Sequence, residues 1–334
     1  MKQVLCALAL LGALLAGAPA LAQVFSWDGG GSDSLWSNDS NWRLDTEPPM
    51  TGSHDVAIKA SGLVSPFQNL ADWAYSSPGG CSDLEVVANS SYAMTFRKSG
   101  SGDFSTSGRL SLTGFSSTRQ ATLDADTGLT VTGLSAYSYV TLDVAAEVTV
   151  ENLTSFLVDA RPGFAQCRKV GGGSIVSDSL TVDHGDSTAA PAEHAVLLID
   201  AGEIVVGSAG KTQIYGSPTM DLESIVRVQG GILTPNTLHL IGGSSASREA
   251  CFEFMSGQVR EPETIEMYGF SRFEAFLDVA CGGLLVSVVS GSTFDTEARV
   301  DVDNTHNIQA GFVQVGGSRR CQLIKTTLGT LETN

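Results

Sequence analysis

The chain has 334 residues, with 36 acidic side chains against 19 basic ones and a formal charge of −17. Such a balance argues against nucleic acid or an anionic membrane surface as partner, since either needs a basic patch. Hydrophobic residues make up 42% and charged residues 16%, so the composition is that of a packed protein rather than a disordered one, and 37 glycines point to a turn-rich, all-β chain.

Residues 1–22 read as a signal peptide. One positive charge (Lys2) precedes an apolar run from Val4 to Leu15, and Ala20-Leu21-Ala22 has the small-x-small form of a cleavage site. The run is too short for a membrane anchor, and Pro19 breaks its end. Cleavage before Gln23 implies a secreted or cell-surface location, with the periplasm as the alternative, and a mature chain with no transmembrane helix. Residues 23–60 hold three of the four tryptophans, Trp27, Trp36 and Trp42, among Asp28-Gly29-Gly30-Gly31, Pro48-Pro49 and Val56-Ala57-Ile58. This segment is expected to cap a larger domain. An irregular stretch follows to Asp83, with Pro78-Gly79-Gly80 and Trp73. From Leu84 onward short alternating runs such as Leu110-Ser111-Leu112 and Val148-Thr149-Val150 predict strands.

An internal repeat sets the fold. An apolar residue, another at +2, a Gly at +5 and an apolar residue at +7 recur at Leu197/Ile199/Gly202/Ile204, Val226/Val228/Gly231/Leu233, Phe252/Phe254/Gly257/Val259 and Leu277/Val279/Gly282/Leu284. A weaker copy begins at Leu123. Two strands joined at a Gly corner, repeated about every 25 residues, fit one coil of a β-solenoid. The +2 spacing places both apolar side chains on the inner face, and glycine supplies the positive φ of the bend. One coil buries too little to stand alone, so coils must stack. The expected fold is therefore all-β, a right-handed parallel β-helix over 61–334, clearest over 197–291, with an antiparallel β-sandwich or jelly roll as the alternative. Leu197, Val226, Phe252 and Leu277 are expected to share an interior column, and Gly202, Gly231, Gly257 and Gly282 one corner.

Five cysteines follow the leader: Cys81, Cys167, Cys251, Cys281 and Cys321. Their spacings match no zinc pattern, and buried thiols packing as small hydrophobes explain them. Cys251 and Cys281 fall at different repeat offsets, so no rung-to-rung disulfide is expected between them.

Chemistry-bearing motifs are few. Asp124-Ala125-Asp126-Thr127-Gly128 reads as a capped turn. Asp301-Val302-Asp303-Asn304-Thr305-His306 resembles a calcium loop faintly but lacks its central Gly and distant Glu. His54, His184, His194, His239 and His306 are scattered; His184 and His194 share a polar stretch with Asp183, Asp186 and Glu193, which could hold a metal or form an acid–base pair but reads first as a projecting loop. No nucleophile elbow, phosphate loop or dinucleotide fingerprint occurs. Asn38, Asn89 and Asn152 head N-x-S/T sequons. No catalytic, cofactor-binding or metal residue is assigned, and no cofactor is implied. The tryptophans admit a sugar-stacking role, though cap packing accounts for them.

The Trp27-Asp28-Gly29-Gly30-Gly31 … Trp36 … Asn41-Trp42 … Pro48 … Val56-Ala57-Ile58 stretch after a leader, with the later Gly-x-apolar coils and the closing run 321–330, resembles the bacterial secreted β-solenoid surface proteins of the autotransporter-like and exosortase-sorted type. The resemblance implies a right-handed β-helix at the cell exterior and carries over no catalytic residue. The expected function is a structural or adhesive extracellular protein without catalysis, whose partners are cell-surface glycans or other surface proteins. The alternatives are a β-helix polysaccharide lyase or glycoside hydrolase, which requires a groove with convergent charges, and a carbohydrate-binding module, which requires exposed indoles.

Overall fold

A computed structural model describes residues 23–50, 54–60, 69–160, 165–183, 194–216, 223–260, 262–287, 296–302, 306–316, 321–325 and 330–333. Residues 1–22, read above as a signal peptide, lie outside them. Alternating apolar side chains make short strands, and every strand-to-strand ladder is parallel, joining residues one coil apart. The chain forms a parallel β-solenoid. Each turn lays down one strand in each of three sheets. In the turn that starts at Ala195 these are Ala195–Ile199 in sheet 1, Glu203–Val206 in sheet 2 and Lys211–Tyr215 in sheet 3. The preceding turn is Ala165–Val170, Ser174–Ser177 and Leu180–Asp183. Val24–Trp27 and Asp55–Lys59, within the Trp-rich segment, are themselves sheet 3 rungs.

The parallel register converts the alternation into unbroken interior columns. In sheet 1, Met94, Ala121, Val140, Cys167, Leu197, Val226, Phe252, Phe273 and Val300 succeed one another, all buried. A sheet 3 column runs Phe25, Val56, Leu84, Leu110, Leu134, Phe156, Leu180, Thr212, Leu238, Ile265, Leu284. Burying one such side chain is worth roughly 1.5–3 kcal/mol, so stability grows with each coil added.

Three of the four expected column members stand as read. The fourth is corrected: Phe273, not Leu277, follows Phe252, and their rings stack at 5.3 Å. Leu277 is only partly buried, against the core. The apolar-x-apolar-x-x-Gly-x-apolar pattern marks any corner of a coil, so it does not fix which corner. Here it spans the corner between sheets 2 and 3, and Gly282 is corrected with it: its N–H donates to Pro262 O at 3.0 Å, away from Gly257. Gly202, Gly231 and Gly257 do share a corner, where Ile232 N–H donates to Gly202 O at 2.8 Å. φ is +67° at Gly202 and +94° at Gly257, whereas beside Gly231 the positive angle falls on Gly230. A Cβ on Gly257 would lie 2.2 Å from Gly231 O. Asp124 is also corrected: it sits within the strand Ala121–Ala125 rather than in a turn, facing Arg97 of the preceding rung.

The four tryptophans close the N-terminal end. Trp36 packs edge-on against Trp42 at 4.6 Å and Trp73 at 5.2 Å, and Trp27 against Trp42 at 5.1 Å. All four are buried, and Trp42 Nε1–H donates to Trp36 O at 2.7 Å.

The register separates two truncations that the repeat pattern treats alike. Phe252→Ala should cost about 3–5 kcal/mol in chemical denaturation, and Leu277→Ala roughly 1–2 kcal/mol. Equal losses would contradict the Phe252–Phe273 column.

Candidate functional site

Four places gather side chains able to do chemistry. The first is the interior itself. Lys98 and Lys169 point inward from sheet 1 and are fully buried, in register with apolar neighbours: Ala125 follows Lys98, and Lys169 stands between Leu142 and Ile199. Each ammonium turns toward a corner. Lys169 Nζ donates to Val170 O at 2.7 Å, Gly171 O at 3.0 Å and Ala201 O at 3.3 Å. Lys98 Nζ reaches Gly100 O and Thr127 Oγ1. These amines satisfy carbonyls that a tight corner leaves without N–H partners. A Cβ on Gly202 would come within 2.5 Å of Lys169 Nζ, so glycine makes room for the amine as well as for the bend. Burial pushes Lys169 down to about 8, against the pull of Asp143.

The second place is the outer face of sheet 1, where charges lie rung over rung. Arg227 Nε bonds Glu253 of the next rung. Arg272 approaches Glu274 at 3.3 Å, Glu249 at 3.4 Å and Glu253 at 3.6 Å, and Arg299 reaches Glu297 at 3.0 Å. Glu249 and Glu253 are buried beneath these arginines. Burial raises Glu249, against Arg272 and Arg299. Upstream, Arg97 pairs with Asp124 at 2.7 Å and Arg168 with Asp200. Paired in this way, the charges bind turn to turn and leave little for a ligand.

A third cluster lies on the outer face of sheet 3. His239 Nε2 meets Glu266 of the next rung, Tyr268 O–H donates to the same carboxylate at 3.1 Å, and the Tyr268 ring packs edge-on against the imidazole at 5.2 Å. Burial lowers His239 below its ordinary value, against the pull of Glu266. Tyr268 is pushed up to about 12 by burial and by Glu266. Burial thus favours the neutral imidazole, and the ring is walled in.

The fourth place is open. Along the first rungs of sheet 3 runs a groove of about 720 Å³. Its outward row is Asp55, Asp83, Arg109, Gly133 and Ser155, one residue per rung. Ala57, Glu85 and Ser111 form the next row, and Tyr137 stands at the side. Small side chains make the surface concave: Gly133 leaves space that the Arg109 side chain crosses, 3.8 Å from where a Cβ would be. Asp83 Oδ1 accepts from Arg109 N–H at 2.6 Å, and Glu85 pairs with Lys59 at 2.8 Å. At the adjoining corner Thr132 Oγ1–H donates to Thr106 O at 3.1 Å and Thr154 Oγ1–H to Thr132 O at 2.9 Å, a hydroxyl ladder that also lines the groove.

Other residues singled out in the sequence divide as follows. The tryptophans offer no exposed ring for stacking. His184, Asp186 and Glu193 lie outside the described residues, as do Asp303, Asn304 and Thr305. Asp183 ends a sheet 3 strand beside Tyr215, and His194 Nδ1 accepts from Glu223 N–H at 3.2 Å. Asp301 faces outward opposite Glu274. Cys81, Cys167, Cys251 and Cys281 are buried free thiols, with Cys251 in sheet 1 and Cys281 in sheet 2. Burial pushes Cys81 up to about 12 and Cys281 to about 11, which makes them poor nucleophiles. Two sequon asparagines hold turns: Asn38 Oδ1 accepts from Ser40 N–H at 3.1 Å and Asn89 Oδ1 from Tyr92 N–H at 2.8 Å. Asn152 has φ +65°. No family model, curated protein or solved structure matches this chain.

The buried amine gives a pH test. Lys169 is near 8 in the fold and near 10.4 in the unfolded chain. Between those values the unfolded state binds more protons, so stability rises with pH there. The stability of the parent protein relative to Lys169→Met should climb by on the order of 3 kcal/mol from pH 8 to pH 10.5, measured by urea denaturation. A flat difference would show that the amine is not desolvated.

Proposed function

We propose that the protein is an exported, noncatalytic solenoid with a structural or adhesive role at the cell surface or in the extracellular space. The leader-like segment 1–22 supports export, and the resemblance to secreted bacterial β-solenoids supports the setting. The observation that carries the noncatalytic reading is the use of the ionisable groups. Arginines and carboxylates of sheet 1 neutralise one another between rungs, His239 is enclosed with Glu266 and Tyr268, and Lys98 and Lys169 hold corner groups of their own and the next coil. These groups tie coils together rather than converging on a reacting centre. An elongated stack with a long accessible face suits a scaffold or an adhesin, because many weak contacts along one axis add up. The groove carries Asp55, Asp83, Glu85 and Arg109, yet Asp83 serves a backbone N–H and Glu85 an ion pair. That leaves no carboxylate pair free of other duties to act as acid and base across it.

Purified chain incubated with neutral and acidic polysaccharides should release neither reducing ends nor unsaturated products, and expression in a bacterial host should place it outside the cytoplasm in fractionation. Product release, or retention in the cytoplasm, would overturn this reading.

A further inference from the structure

We infer that the sheet 3 groove binds a neutral, extended glycan laid along the solenoid axis, with Arg109 as its anchoring donor. The inference rests on the surface reading above and adds a site and a ligand class to it. Arg109 is the one arginine of this row. The sheet 1 arginines Arg97, Arg168, Arg227, Arg272 and Arg299 are each paired with a carboxylate, whereas the exposed Arg109 guanidinium, like those of Arg43 and Arg119, has no ion pair or hydrogen bond among the described residues. A donor held over a concave surface without a partner is available to a ligand. Asp55 lies in the same row, likewise without a side-chain partner among the described residues.

The ligand class follows from what the groove lacks. From Asp55 to Ser155 its floor is the face of a sheet whose N–H and C=O groups are spent in the ladders, so along that length it offers no strand edge to a peptide. What remains is a guanidinium, carboxylates, hydroxyls and one phenol ring. These match vicinal hydroxyls and the apolar face of a pyranose. Carboxylates at Asp55 and Asp83, on a chain of charge −17, disfavour an acidic polymer. From Asp55 to Ser155 the row crosses five rungs, which at ~4.8 Å per step is about 19 Å. The rung spacing is close to the repeat of a pyranose chain, so successive sugars face successive rungs, each with its own side chain.

The test is calorimetric titration of the chain with cellohexaose, mannohexaose, maltohexaose and hexagalacturonate, alongside Arg109→Ala and Ser111→Trp. Both substitutions lie on the outer face, and an unchanged Tm confirms that each variant is folded. At least one neutral hexasaccharide should bind. Arg109→Ala should weaken it about tenfold, as expected for a charge-assisted bond, and Ser111→Trp should abolish it by filling the groove. No binding of any neutral chain, tighter binding of hexagalacturonate, or full affinity in Ser111→Trp would each overturn the inference. Chain cleavage by a protein that still binds through the groove would instead overturn the noncatalytic reading and leave the site standing.

Discussion

Parallel pairing of each strand with its equivalent one coil later is the constraint from which the rest follows. It fixes every side chain over a partner of the same offset, so whatever one coil places inward the next must match. Apolar residues then form columns with no lateral boundary until the chain ends them. Trp27, Trp36, Trp42 and Trp73 end them on the N-terminal side, where four indoles cover exposed apolar surface with large area and little entropy to lose. The same rule governs the outside. Arg227 lies over Glu253 and His239 over Glu266 because they share an offset, and opposite charges at that distance stabilise the pairing while like charges would oppose it.

Inward polar groups show how far the rule bends. Lys98 and Lys169 occupy apolar columns and remain tolerable because a corner's carbonyls lie within reach of a four-carbon stem. Burying an ammonium is costly, and the carbonyls it satisfies are what offset that cost. Thr212 takes a place between Leu180 and Leu238 with its hydroxyl unpaired, a smaller departure from the apolar column.

The fold was legible because alternation and corner glycines both leave marks in sequence. Gly202, Gly231 and Gly257 carry those marks, and they align. The reading slipped at Leu277, where the corner after sheet 1 is Phe276-Leu277-Asp278, with no glycine to announce it, and the next matching pattern belongs to another corner. Lys169 could have been found: Ala165 and Cys167 set the inward phase four and two residues before it, but a lysine is read as solvated by habit. The groove was out of reach. Asp55, Asp83, Arg109, Gly133 and Ser155 stand 22 to 28 residues apart and become neighbours only when register is known. The charged ladder of sheet 1 was hidden for the same reason.

The account depends on coils stacking in this register, and spin labels on one outward row of sheet 3 test it most directly. Glu85, Thr181, Gln213 and Leu285 belong to that row, with Thr181, Gln213 and Leu285 lying four, five and eight rungs beyond Glu85. Pulsed electron–electron distances from Glu85 should increase in step with rung number, to about 19, 24 and 38 Å at ~4.8 Å per rung. Distances that fail to grow along the series, or that fold back toward about 10 Å as between two facing sheets, would contradict it.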